Sequence, residues 1–524
     1  VESGLSGSGC SGARIFPPTA DGEWRAITLL NWLIFLMGYG AWRYLIRKAI
    51  QFYKPSLSGL TDHPVVIWTG CCAYLSCALC LDKVSDVCPD LLVTALFILA
   101  LAEVLSLLDR PSLLHAAVLG AVLGAGYWVK GVFLSFDGIF ILVLLLGCYI
   151  KKLPWRTVGI SFLVFLAIFT PYVTAISWSY GQLTLGASGA LNYAFHVNHI
   201  PHWTNWHGSP AASGALLYPT RKLVSDLPVF EFSEPFQTTY PPYNNMAYWY
   251  QGSGNFFSLR LQVIAVARTL YFLIVILKWN PFLWALTSTF LAVMLKREWR
   301  NSFLATAGFF WPLFLPTILG LAIYMAVHVE DRYISPFCLI FSLLPLLPLL
   351  DPAVKSRGFL VGLLLVFYTL GAAAQLNSTD RPALKAAIRQ DDFHRSPQWR
   401  LAAALPMYGL RSGDPVALIN DRSPGYRCHW AYVSHLRIVA EFGSLPWTIE
   451  PWDRTRFDPV VADPADEDYG RLFWNELTPE RRAQVIDAFR DTGARAVLAL
   501  SGPDTIREPG WQKVAGTNAW IYRF

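Results

Sequence analysis

Charge is what this sequence has least of for its size. Only 15% of its 524 residues are Asp, Glu, Lys or Arg, against 54% hydrophobic. That leaves too few polar groups to coat one globule, and the chain is too long for one ordinary soluble domain. The apolar excess must face lipid. The net charge of +6 is small, and the basic residues stand in short clusters beside apolar runs rather than in a stripe, which argues against nucleic acid as a partner. Cysteine supplies no framework: the nine are odd in number, and Cys71, Cys72, Cys77 and Cys80 share one apolar run, where a thiol behaves as a small hydrophobe. A bridge from Cys80 to Cys88 at a helix end is left open by the spacing. His196, His199, His202 and His207 lie close together, but in no familiar zinc pattern and with no Cys or carboxylate among them. The chain opens on Val1-Glu2-Ser3-Gly4, without initiator methionine, basic n-region or apolar h-region. It therefore reads as having no signal peptide and as a fragment missing an N-terminal piece.

Long hydrophobic runs are what the sequence has in quantity. Six come early: Ala26 to Ile46, Pro64 to Leu81, Leu91 to Leu108, Leu113 to Val129, Val132 to Ile150 and Thr157 to Trp178. Five more follow a polar and aromatic stretch: Leu261 to Leu277, Pro281 to Leu295, Phe303 to Val327, Ile334 to Leu350 and Gly358 to Ala374. At about 20 residues per crossing, these make about eleven spans. The expected organisation is a transmembrane domain over 1–375 with a large extracytoplasmic loop at 179–260, then a soluble α/β domain over 376–524.

Lysine and arginine bias sets the orientation. Arg43, Arg47 and Lys48 end the first run, Arg110 ends the third, and Lys151, Lys152 and Arg156 join the fifth to the sixth. These ends read as cytoplasmic, so the loops around Asp82 to Asp90, around Lys130 and from Tyr180 to Arg260 read as extracytoplasmic. Lys296, Arg297 and Arg300 look cytoplasmic too, which simple alternation after an outside loop cannot satisfy. On charge alone the side of the C-terminal domain stays open. In that domain, Val416 to Ile419 and Leu436 to Phe442 read as strands, Thr478 to Phe489 as a helix, Ala496 to Leu500 as a strand and Trp511 to Phe524 as a hairpin. It has no Gly-rich phosphate loop and no nucleophile elbow. Packing or docking is its plainest role.

Ionisable groups at helix mouths in a membrane protein are functional candidates by default. Asp90 follows Pro89 at the outer mouth of the third run, and a helix cap explains it as well as catalysis does. Lys130, at the outer end of the fourth, is placed to attract an anion such as a lipid-linked phosphate, or simply to snorkel. His328, Glu330, Asp331, Arg332 and Tyr333 form a packed acid, base and aromatic set suited to phosphate and hydroxyl recognition. The outside loop is rich in flat rings, among them Trp203, Trp206 and Tyr243, which can stack on sugar faces or sit at the headgroup level. Glu103, Asp137 and Arg268 are single charges within spans and read as members of interior pairs.

These residues resemble a known group. Pro89-Asp90-Leu91-Leu92, the glycines Gly120, Gly124 and Gly126, and Tyr127-Trp128-Val129-Lys130-Gly131 are similar to the early transmembrane region of bacterial GT-C glycosyltransferases, in the clan of dolichyl-phosphate-mannose-protein mannosyltransferases. Gly181 to Gly186, Leu191-Asn192-Tyr193, Pro219 to Lys222, Tyr240-Pro241-Pro242 and His328 to Tyr333 resemble one bacterial branch of it. The resemblance covers Trp24 to Leu350. It implies a polytopic GT-C-like helical bundle in the bacterial inner membrane that moves a sugar from a polyprenyl-phosphate carrier to an acceptor on the outer side. It also implies a principal catalytic base upstream of Val1, Asp90 as a supporting acidic residue, and Lys130 and Arg332 near the carrier phosphate. His328, Glu330, Tyr333, Trp203, Trp206 and Tyr243 complete the expected substrate site. A divalent metal ion and the oligomeric state are left open. A transporter or flippase of lipid-linked sugars is the alternative, and the hydropathy shows no twofold repeat to favour it.

Overall fold

The computed structural model describes residues 20–82, 88–199, 221–232, 254–379, 397–419, 429–442, 474, 477–500 and 509–524. They form two compact units, 27–189 with 265–388, and 1–26 with 190–264 and 389–524.

The first unit is a helical bundle. Its elements are α1 (Ala20–Tyr53), which begins before the unit, α2 (Pro64–Leu75), α3 (Asp90–Asp109), α4 (Leu113–Val129), α5 (Phe133–Ile150) and α6 (Trp155–Tyr180). Helix α7 (Ser188–His196) leads into the second unit, which also holds strands β1 (Arg221–Lys222) and β2 (Val229–Glu231). The bundle resumes with α8 (Leu259–Trp279), α9 (Pro281–Leu295), α10 (Arg297–Ala307), α11 (Trp311–Val327), α12 (Asp331–Phe341) and α13 (Arg357–Thr379). Among the described residues, seven helical stretches are long and apolar enough to cross a membrane, and three shorter apolar ones, among them α4 and α9, accompany them. The protein is a multi-pass integral membrane protein. Helix α3 is its axis, with 78% of its span buried, whereas α6, 22% buried, turns Phe162 and Leu163 outward. In a bilayer those side chains meet acyl chains.

Glycine sets the closest crossing. A Cβ on Gly120 would stand 2.2 Å from the Ser161 carbonyl oxygen, and one on Gly124 would stand 2.8 Å from Ile168. Two glycines four residues apart thus let α4 meet the α6 backbone, as small residues do in membrane bundles.

The bundle has a charged end and a basic end. Asp90 begins α3, Lys130 follows α4, and Glu330 precedes α12, so all three share one end. At the other, Phe309 packs on Phe52 and Tyr53 at the close of α1, and the Lys151 ammonium lies 4.6 Å from the Phe309 ring. Helix α9 runs antiparallel to α13: Phe282 meets Tyr368 at 5.7 Å, and the Lys296 ammonium donates to the Ser356 hydroxyl at 2.6 Å, just before α13 begins. Lys296, Arg297 and Arg300 therefore arrive at the basic end with the others, which removes the conflict in the charge pattern. The middle of α8 lies level with the charged mouth, Thr269 donating to the Met325 carbonyl at 2.6 Å, so the irregular crossing falls there.

The second unit is α/β. Helices α14 (Pro397–Ala404), α15 (His429–Val433) and α16 (Pro479–Asp491) accompany β3 (Pro415–Ile419), β4 (Arg437–Phe442), β5 (Ala496–Ala499), β6 (Trp511–Lys513) and β7 (Trp520–Arg523). The sheet order is β1-β2-β4-β3-β5-β7-β6, with β3 parallel to β4 and β5 and the other pairs antiparallel. Strands β3 and β5 are unbroken, almost wholly buried apolar runs, as parallel strands covered on both faces are, whereas β4 carries Arg437 at its start and the buried Glu441. The terminal hairpin and the α16 helix, whose Thr478 hydroxyl accepts from the Arg481 amide, follow the sequence expectation. Strands β1 and β2 do not: Phe230 pairs with Glu441, so part of the long loop belongs to the same sheet as the C-terminal strands. Strands β1 and β2 therefore belong to the same folding unit as β3 to β7.

Candidate functional site at the charged mouth

Each charged residue of the mouth stands at a helix terminus. Asp90 is the first residue of α3, only 3% exposed, where the helix dipole favours a carboxylate. Lys130 caps α4 in extended conformation and sends its ammonium back to Asp90 Oδ1 in a close ion pair. Arg332, in the first turn of α12, brings Nε to 3.6 Å from Asp90 Oδ2 and Nη2 to 2.7 Å from Glu330 Oε2. Glu330 also meets His328 Nε2 at 3.2 Å. The Lys130 ammonium lies 4.1 Å from the centroid of the Tyr333 ring, and Tyr333 stacks on Tyr324 at 5.0 Å with an interplanar angle of 18°. The Asp331 carboxylate accepts from the Arg332 amide at 2.9 Å, closing the start of α12.

The structure thus brings together six of the residues singled out above: Asp90, Lys130, His328, Glu330, Arg332 and Tyr333. Trp203, Trp206 and Tyr243 lie outside the described residues, as do His202 and His207. Tyr324, one turn before His328, belongs to the cluster and was not anticipated; its only sequence signal is the i,i+4 spacing on an apolar helix. Of the single charges within spans, Glu103 pairs with His115 at 2.7 Å. Asp137 corrects the expectation of a pair: both its oxygens are buried with no hydrogen-bond partner among the described residues. Arg268 is buried on α8. Cys88 forms no disulfide with another described cysteine, and the Cys80 side chain lies outside the described residues. Among the described residues no group of three or more His, Cys, Asp or Glu could hold a metal ion.

The local electrostatics favour fixed charges. Burial works against the ionised form of Glu330, yet the His328 hydrogen bond and the Arg332 charge hold its carboxyl below the usual carboxylate range. A depressed folded-state pKa contributes stability above the unfolded value of about 4.3 and loses it as pH falls through the folded value. Glu330→Gln should therefore melt below the wild type at neutral pH and coincide with it in strong acid, in melting curves taken across pH. A gap persisting in strong acid would show that the ionised carboxylate is not what stabilises. Lys130 and Arg332 are 24% and 30% exposed, so each keeps donor capacity toward the opening.

No protein-family model and no curated protein sequence matches the chain. Among solved structures it is similar to ArnT from Cupriavidus metallidurans, a crystal structure bound to undecaprenyl phosphate, with 12% identity, a TM-score of 0.40 and coverage of 94% of this chain and 83% of that one. At that identity and score the match bears on neither substrate nor site.

Proposed function

We propose that the chain is a membrane glycosyltransferase that takes a sugar from a polyprenyl-phosphate carrier and passes it to an acceptor on the extracytoplasmic side. The observation that carries the reading is the convergence of Lys130 and Arg332 on Asp90 at one end of the bundle. Displacement at an anomeric carbon needs cations where the phosphate departs and a base where the acceptor hydroxyl attacks. Lys130 and Arg332 supply the first. Asp90 is tied to both cations and holds them in place, and the base is a group outside this cluster. Tyr333 and Tyr324 offer a flat wall beside the ammonium, suited to a sugar ring or a prenyl unit. The sequence resemblance points to the same chemistry.

The test uses the whole chain in phospholipid nanodiscs and a short-chain polyprenyl monophosphate. Binding should be detectable for the phosphate and absent for the matching polyprenyl alcohol. Equal binding of both, or none of either, sinks the proposal. A second arm fixes the side: a cysteine placed at the exposed Leu183, just after α6, should react with an impermeant maleimide from the extracytoplasmic face. Reaction from the cytosolic face alone would place the mouth on the wrong leaflet.

A further inference from the structure

One helical turn inward from the mouth stands a second carboxyl that the phosphate chemistry leaves unused. Asp82, just past the turn Ser76–Leu81, is fully buried. Its Oδ2 accepts from the Ser335 hydroxyl of α12 at 2.7 Å, while its Oδ1 is buried with no hydrogen-bond partner among the described residues. The Thr94 hydroxyl of α3, buried and likewise without a partner there, lies beside it. Thr94 follows Asp90 by four residues and Ser335 follows Asp331 by four, so each sits on the same helix face as a mouth carboxylate, one turn deeper. Three elements meet at this inner layer: the end of the α2 segment, α3 and α12.

Among the described residues, the groups facing Asp82 are Asp90 and Thr94 from α3, Asp331, Ser335 and Cys338 from α12, Tyr74 from α2 and Tyr324 from α11. None of these is a cation. An ionised Asp82 would leave one oxygen bare in the interior, close to two further carboxylates. A proton on Oδ1 removes that charge and supplies the donor that the neighbouring Thr94 oxygen can accept.

We propose that Asp82 is a positioning residue carried as the neutral acid, which bonds Thr94 through its own proton and Ser335 through its other oxygen, and so fastens α3 to α12 with Asp90 opposite Arg332. The inference rests on the mouth being the phosphate site proposed above. Burial raises the Asp82 pKa, the Ser335 hydrogen bond and the nearby Thr94 hydroxyl oppose the rise, and the charges of Asp90 and Asp331 add to it.

Asp82→Asn keeps the shape, offers an amide donor to Thr94 and an oxygen to Ser335, and cannot ionise; Asp82→Ala removes both bonds. Infrared difference spectra of the wild type against Asp82→Asn, taken on the full chain in nanodiscs without substrate, should show the carbonyl stretch of a protonated carboxylic acid in the wild type alone. In sugar transfer from a polyprenyl-phosphate donor, Asp82→Asn should stay within a few fold of wild-type kcat, while Asp82→Ala loses about tenfold or more with KM little changed. Wild-type kcat should decline as pH rises through the raised pKa of Asp82, and Asp82→Asn should lack that alkaline limb. Absence of the infrared band, or an Asp82→Asn loss as deep as that of Asp82→Ala, would overturn the proposal. If the wild type neither binds polyprenyl phosphate nor transfers sugar, the functional reading fails, and the infrared band together with the melting order wild type, Asn, then Ala still decides the case of Asp82.

Discussion

Arg332→Ala should reduce sugar transfer about a hundredfold to a thousandfold, the scale of removing one preorganised donor from a developing anion, while the protein stays folded. The two mouth cations are not equivalent, and the difference sorts binding from stability. Asp90 is 3% exposed and keeps its close Lys130 partner when Arg332 is lost, since Arg332 stands 3.6 Å away. Lys130→Ala leaves the same buried carboxylate with that longer contact alone. Breaking a buried pair by removing one partner costs about 3–5 kcal/mol, so Lys130→Ala should lower both the melting temperature and polyprenyl-phosphate binding. The double change Lys130→Met with Asp90→Asn replaces the pair by neutral groups of similar shape and should recover most of the melting temperature but none of the binding. Recovery of both would remove Lys130 from the phosphate site. Arg332→Lys should fall between wild type and Arg332→Ala, because one ammonium cannot serve Asp90 and Glu330 in the way a planar guanidinium does.

Much of the bundle was legible because its signals are local. The runs Leu113 to Val129 and Pro281 to Leu295 coincide with α4 and α9, and the second is fixed by Asn280, whose side chain accepts from the Leu283 amide, followed by Pro281 at the first helical position. The mouth was legible for the same reason: charge between apolar runs is costly and stands out. What could not be read depends on distant partners. The antiparallel course of α9 along α13, which carries Lys296 to the basic end, is a packing fact, and run-by-run alternation misplaces it. Strands of two and three residues inside a polar loop carry no usable periodicity, so the pairing of Phe230 with Glu441 was invisible. Asp82 meets Ser335 across 253 positions, and nothing at residue 82 alone separates a buried acid from an ordinary loop aspartate. Asp137 shows the limit from the other direction: a charge inside a span announces itself, but whether it has found a partner depends on tertiary structure.

Gly120→Val should be the most damaging single change away from any charge. Its Cβ would fall 2.2 Å from the Ser161 carbonyl oxygen and 3.0 Å from the Phe165 amide nitrogen, both backbone atoms that no side-chain rotation can move aside. Overpacking a tight core costs about 1–3 kcal/mol and more where backbone must shift, and here α4 and α6 have to separate along their shared face. The Ser161 hydroxyl, which donates to the Ala116 carbonyl at 2.9 Å, would lose its acceptor in the same movement. Gly138 is the control, since a Cβ there meets nothing within 4 Å and the site lies on the outer side of α5. Gly138→Val should leave the melting temperature in nanodiscs within about the 0.5 kcal/mol expected of surface changes. Because Lys130 caps α4 ten residues beyond Gly120, separation of α4 from α6 also carries the ammonium away from Asp90. Gly120→Val should therefore lose polyprenyl-phosphate binding along with stability, and an intact binding curve in a measurably destabilised Gly120→Val would show that the mouth is held by α3 and α12 without α4.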